Sequence, residues 1–148
     1  MARVGKWLKR IAISIVLLIV AVVAYNMLRD KVTGPSPDAA NVSDMRSLNT
    51  ALHTYKSAYG HYPDSLAELG VAASGPSNES GAGLIGSKLA AGKAHGYSYA
   101  YTKTGQGYTL HGDPATPETN VHLYSDESAE VRFKRKSPAD RDSEVVPY

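Results

Sequence analysis

Five histidines, a turn with three carboxylates and a run of alternating tyrosines are the side chains of this 148-residue chain best suited to chemistry. His53, His61, His95, His111 and His122 can each exchange a proton near neutral pH or offer a ring nitrogen to a metal. No two of them stand four residues apart, and none sits in a carboxylate–histidine ligand spacing. Edge packing or solvent exposure is therefore expected of them, not a metal site. Asp126, Glu127 and Glu130 place three carboxylates within five residues, a set of oxygens that a calcium ion can use. The calcium-loop pattern is missing there, so a solvated hairpin turn is the expectation. Tyr97, Tyr99 and Tyr101 can make a stacking surface for a ligand or one sheet face under a helix, and the second use is expected. Phe133-Lys134-Arg135-Lys136 can meet lipid headgroups or an acidic partner, with a solvated strand end as the plainer account.

Other catalytic signatures are missing. There is no G-x-S-x-G and no phosphate-binding loop ending in Gly-Lys-Ser/Thr. Gly81-Ala82-Gly83 and Gly105-Gln106-Gly107 are accounted for by turns. A Ser/His/Asp set that converges only in space would escape such a reading, but nothing points to one. Cysteine is absent, which removes disulfides and thiolate metal sites. The expectation is a chain with no catalytic residue, no cofactor and no metal, hence not an enzyme.

The elements that position these residues begin with an amphipathic helix. Gly34 and Pro35 interrupt what precedes it, Ser36 is a candidate cap with Pro37 at the first helical position, and Asp38 falls in the first turn. Val42, Met45, Leu48, Leu52, Tyr55 and Tyr59 follow one another at spacings of three or four, a single apolar stripe. Asn41, Asp44, Ser47, Thr54 and Lys56 are read as the polar face. Gly60 supplies the stop, and Tyr62-Pro63 leaves it extended. A short helix carries Leu66 and Leu69, residues 71–83 form a loop, and Leu84–Ala91 can form another short helix. The period then changes to two. Residues 96–102 and 108–111 read as one hairpin, and Val121–Ser125 with Ala129–Phe133 as a second, about four antiparallel strands in all. Ser137–Tyr148 reads as a loose polar tail.

The N-terminus is of another kind. Arg3, Lys6, Lys9 and Arg10 precede Ile11–Leu28, an uncharged run of 18 residues of which 11 are Ile, Leu or Val. As a helix it would be about 27 Å long, close to a bilayer core of about 30 Å. Its Ile, Leu and Val side chains favour insertion by roughly 3 to 6 kcal/mol. Ile11, Ile15, Leu18, Val22 and Leu28 stand as membrane-anchor residues, with Trp7 and Tyr25 as flanking aromatics. The cations before the run place the N-terminus in the cytoplasm and the domain outside it, in a single pass of a bacterial cytoplasmic membrane. Two fates are open: a permanent anchor, or a signal peptide cut after Val22-Val23-Ala24. From Arg29 onward 12 basic residues face 14 acidic ones, so the basic balance belongs to the leader and no nucleic-acid patch is read. The organisation expected is a leader (1–10), a transmembrane segment (11–28), a linker (29–37), an α+β domain (38–136) and a tail (137–148). Its fold class is α+β: a transmembrane helix, then an amphipathic helix packed on a small antiparallel sheet.

Ser43–Gly70, SDMRSLNTALHTYKSAYGHYPDSLAELG, ends its helix in Tyr55-Lys56-Ser57-Ala58-Tyr59-Gly60-His61-Tyr62-Pro63. This phrase resembles the type IV pilins and type II secretion pseudopilins, in which an amphipathic helix ends in a similar Tyr-rich phrase before a small antiparallel sheet. GYSYAYTKTGQGYTLHGDP is similar to the sheet of that family. The resemblance implies a helix-end motif at Gly60, Tyr62 and Pro63, and a structural or interaction role beside secretion or pilus proteins of the envelope. The anchor departs from the family. Gly5 is followed by Lys6-Trp7-Leu8-Lys9-Arg10, with Arg10 where the family carries Glu, and Gly34-Pro35-Ser36-Pro37 interrupts the long filament helix. A membrane-held, non-enzymatic envelope protein is the expected function, with a cleaved periplasmic binding module or an atypically processed filament subunit as alternatives. The lipid bilayer and envelope proteins are the expected partners. No signal bears on self-association.

Overall fold

The computed structural model describes residues 18–22, 25, 38–116 and 120–147. The chain divides into two compact units, Met1–Pro35 and Ser36–Tyr148. In the first unit residues 18–22 and 25 are helical, and Leu18 and Val22 are exposed. Ile11, Ile15 and Leu28 lie outside the described residues. The expected fold class is corrected here: among the described residues no helix is long and apolar enough to cross a membrane. Residues 18–22 alone are a stretch of roughly 8 Å against the roughly 30 Å of a bilayer core.

The second unit is one helix followed by a meander. Helix α1 (Ala39–Tyr59) is capped by Asp38, not Ser36: the Asp38 carboxylate accepts from the Ala40 N–H at 3.1 Å. Asp38 has the extended backbone of a cap (φ −63°, ψ 131°) and so precedes the first turn instead of joining it. At the other end Gly60 adopts φ +82° and donates its N–H to the Lys56 carbonyl at 2.8 Å, a left-handed stop that a side chain would strain. The apolar stripe is inward. Met45, Leu48, Leu52 and Tyr55 have no exposed surface, Val42 is buried, and Tyr59 is half-buried. Each buried aliphatic side chain contributes about 1.5–3 kcal/mol.

The sheet has six antiparallel strands in sequence order, where four were expected: β1 (Lys93–Ala94), β2 (Tyr97–Lys103), β3 (Tyr108–Pro114), β4 (Val121–Asp126), β5 (Arg132–Arg135) and β6 (Glu144–Val145). The two extra strands have two residues each and carry no readable alternation. The last four-residue strand also begins later than expected, at Arg132 instead of Ala129. Tyr99, Gly112, Leu123 and Phe133 stand opposite one another across β2–β5, on the face that α1 covers. A Cβ on Gly112 would meet the Tyr99 ring at 3.2 Å and Leu123 at 3.3 Å, so glycine there lets the Tyr99 ring lie over β3.

Between helix and sheet, Leu66–Leu69 form a 3₁₀ turn with both leucines buried, and Ser87–Ala90 form α2, shorter than expected. Residues 71–83 are a loop fastened by the isolated bridges Val71–Ala82 and Asn78–Gly81. The expected loose tail is instead a packed strap. Ala139 and Ser143 are buried, Lys134 pairs with Asp140 at 3.2 Å, and β6 pairs with β5. Its polar composition conceals this because ion pairs and Ser143–Asp140 hydrogen bonds hold it, not an apolar stripe.

Candidate functional site

Two polar clusters lie between α1 and the sheet. The first sits near the helix start. Asn41 and Asp44, read from sequence as surface residues, are 2% and 8% exposed. At 100° per residue Asn41 and Tyr59 share one angular position, five turns apart, so Asn41 belongs to the inward stripe. Asp44 Oδ2 accepts from the Tyr99 hydroxyl at 3.0 Å and from His95 Nδ1 at 2.7 Å. Burial, then the Asp44 charge, pushes the Tyr99 phenol well above its ordinary range, so it stays a neutral donor. His95 stands at φ +45° in the turn between β1 and β2, and its side chain is 58% exposed. The Asp44 carboxylate holds the ring through Nδ1, which leaves Nε2 directed away from Asp44. His95 borders a depression of about 460 Å³ together with Lys88, Lys93 and Ser98.

The second cluster lies deeper. The Tyr108 hydroxyl donates to Asn49 Oδ1 at 2.9 Å, and Asn49 Nδ2 donates to Ser125 Oγ at 2.8 Å and to the Ala129 carbonyl at 3.2 Å. Asn49, Tyr108 and Ser125 are all buried. Next to them Asp126, expected in a solvated turn, is 3% exposed. It accepts from the Ser128 N–H at 3.0 Å and from Arg141 Nε at 2.9 Å. Burial alone would raise its carboxyl, but the Ser128 bonds and Arg141 take it below the ordinary carboxylate range. Arg141 bridges onward to Glu127 at 3.0 Å.

The helix-end motif forms a third assembly. Tyr62 and Pro63 are buried, and Tyr62 packs edge-on against Tyr108 at 5.0 Å and His53 at 5.8 Å, with the Lys56 ammonium 4.5 Å above its ring. Tyr55 donates to the Glu79 carbonyl at 2.9 Å, and its phenol is pushed up to about 12 by burial, then by Glu68. His61 lies 2.9 Å from the Tyr62 carbonyl through Nδ1 and 2.7 Å from Glu79 through Nε2. The Tyr62 bond, then Glu79, raises its pKa, as two oxygen partners favour the imidazolium.

The alternating tyrosines are structural here. Tyr97 and Tyr99 are buried, and their hydroxyls and that of Tyr101 donate to the Val121 carbonyl, Asp44 and the Pro63 carbonyl. His122 pairs with Asp113 at 2.6 Å, and His111 packs edge-on to Tyr124 at 5.2 Å. Among the described residues no group of three or more His, Asp or Glu is arranged to hold a metal ion.

A groove of about 630 Å³ runs along α1 past Arg46, Asn49, Thr50 and His53, with Val145 and Val146 opposite. His53 Nε2 is buried and has no hydrogen-bond partner among the described residues, which sequence spacing could not have shown. No described Ser or Thr hydroxyl bonds a histidine held by a carboxylate. The arrangement can bind and orient polar groups. Comparison of the chain with protein-family models, with curated proteins and with solved structures finds no match.

Proposed function

We propose that this chain is a membrane-held, non-enzymatic envelope protein whose α+β domain lies outside the cytoplasm and serves as a structural or interaction module beside secretion or pilus machinery. The observation that carries the reading is the uncharged run Ile11–Leu28 behind four cations, followed by a domain whose buried tyrosines and Asn49 hydrogen-bond within it. Water rejects such a run, and the charge asymmetry sets its direction. The tyrosine hydroxyls and the Asn49 amide hold α1, the loops and the strands together, and none is poised to attack a substrate. The pilin-like helix-end phrase supports the choice of apparatus through its residues alone.

Fractionation with N-terminal sequencing of the mature protein tests this. The expected result is a membrane-bound chain, released by detergent but not by alkaline carbonate, that retains Ile11–Leu28. A protein in the soluble envelope fraction that begins at Tyr25 favours the second reading, a periplasmic binding module. The groove with the unpartnered His53 nitrogen is the observation in favour of that alternative.

A further inference from the structure

Three exposed lysines of the domain, Lys88, Lys93 and Lys136, stand at one end of the sheet, whereas Lys56, Lys103, Arg132 and Arg141 lie elsewhere, each on an acceptor of its own. That end lies beside the start of α1, since His95 and Tyr99 both reach Asp44 in the helix's second turn. Backbone contacts define it: the Ala115 N–H donates to the Gly96 carbonyl, the Lys136 N–H to the Asn120 carbonyl, and the Tyr97 hydroxyl to the Val121 carbonyl. Lys88, Lys93 and His95 border one depression there, and Lys136 follows β5 at the same end. All four side chains belong to exposed residues. The described acidic residues at this end are engaged: Asp38 on the helix cap, Asp44 on His95, Asp113 on His122 and Asp140 on Lys134. The positive end of the α1 dipole points the same way.

Covalent geometry supplies a second constraint. The apolar run ends at Leu28 and the described domain starts at Asp38. Whatever their conformation, nine residues span at most about 30 Å. A surface that holds the run is thus within reach of the domain.

We propose that this sheet end, through Lys88, Lys93 and Lys136, docks on anionic lipid headgroups of the membrane that holds the chain. The proposal rests on the membrane-held reading above and adds an orientation to it. Each lysine near an anionic surface favours docking roughly fivefold, so three lysines favour it by roughly two orders of magnitude.

The test uses the full chain in phosphatidylcholine vesicles with and without phosphatidylglycerol. The absence of native cysteine lets one dye be placed at Ser98→Cys, beside the basic depression, or at Ser65→Cys, near the helix end. Energy transfer to a lipid-borne acceptor is then read. The expected result is a rise of at least twofold at position 98 on adding phosphatidylglycerol, a smaller change at 65, and loss of the rise in 1 M salt or in Lys88→Glu/Lys93→Glu/Lys136→Glu. These exposed substitutions leave the core intact, which the thermal melt checks. A chain that floats with both vesicles but shows equal transfer in each overturns the docking alone. A chain that floats with neither overturns the membrane-held reading, and the docking with it.

Discussion

The two polar clusters beneath α1 bury similar chemistry under opposite rules. Around Asn49 the groups are neutral and enclosed: amide, phenol, hydroxyl and carbonyl satisfy one another without charge. Around Asp44 a carboxylate lies nearly as deep, but its partner His95 is largely exposed. A buried charge is tolerated where one partner reaches water, and a sealed site is kept neutral. Asp126 obeys the same rule as Asp44, since the side chain of Arg141, which holds it, is 65% exposed.

Exchanging the charges gives the largest test. Asn49→Asp keeps the shape and places an unpaired carboxylate between Tyr108 and Ser125, so a loss of about 3–5 kcal/mol is expected in chemical denaturation. The reciprocal Asp44→Asn retains an acceptor for Tyr99 and should cost only about 1 kcal/mol. Equal losses would end the distinction between the clusters.

A smaller effect is expected from Arg141→Met, which removes the exposed partner of Asp126. Because the folded state depresses the Asp126 pKa, its contribution is present above the unfolded carboxylate value and disappears as pH falls through the lower folded value. The variant should be less stable at neutral pH, and its acid-unfolding midpoint should move upward. An unchanged midpoint would show that the Ser128 bonds suffice.

The smallest effect concerns His61, whose pKa is raised. Its contribution is full below the unfolded histidine value and is lost as pH rises through the folded one. His61→Gln should speed amide exchange in residues 71–83 at mildly acidic pH and leave it unchanged at high pH. Faster exchange at both extremes would assign the histidine a packing role instead.

Much of this arrangement is legible in the sequence where periodicity is strong. The stripe from Val42 to Tyr59, the stop at Gly60 and the inward Tyr97 and Tyr99 follow from spacing alone. Asn41 was legible by helical angle but concealed by its polarity. Asp44, at the stripe's edge, is buried only because the His95 turn and Tyr99 close over it, contacts more than fifty residues away in sequence. The strap from Ser137 to Ser143 carries no period, and its anchors Arg141–Asp126 and Lys134–Asp140 exist only once β4 and β5 are in place. The apolar run Ile11–Leu28 and the domain are separate questions for the same reason: one is read from composition, the other from long-range contact.

The sheet's two margins bear on how such domains can associate. One border is Lys93–Ala94 and the other Glu144–Val145, each a stub with a charged residue. Stubs of that length offer too few free amides to template a neighbour's strand, a recognised defence against uncontrolled growth. Copies crowded side by side find little in either stub to pair with, and the part of β2 past Tyr99, which β1 leaves uncovered, is the stretch of border where a ladder could continue.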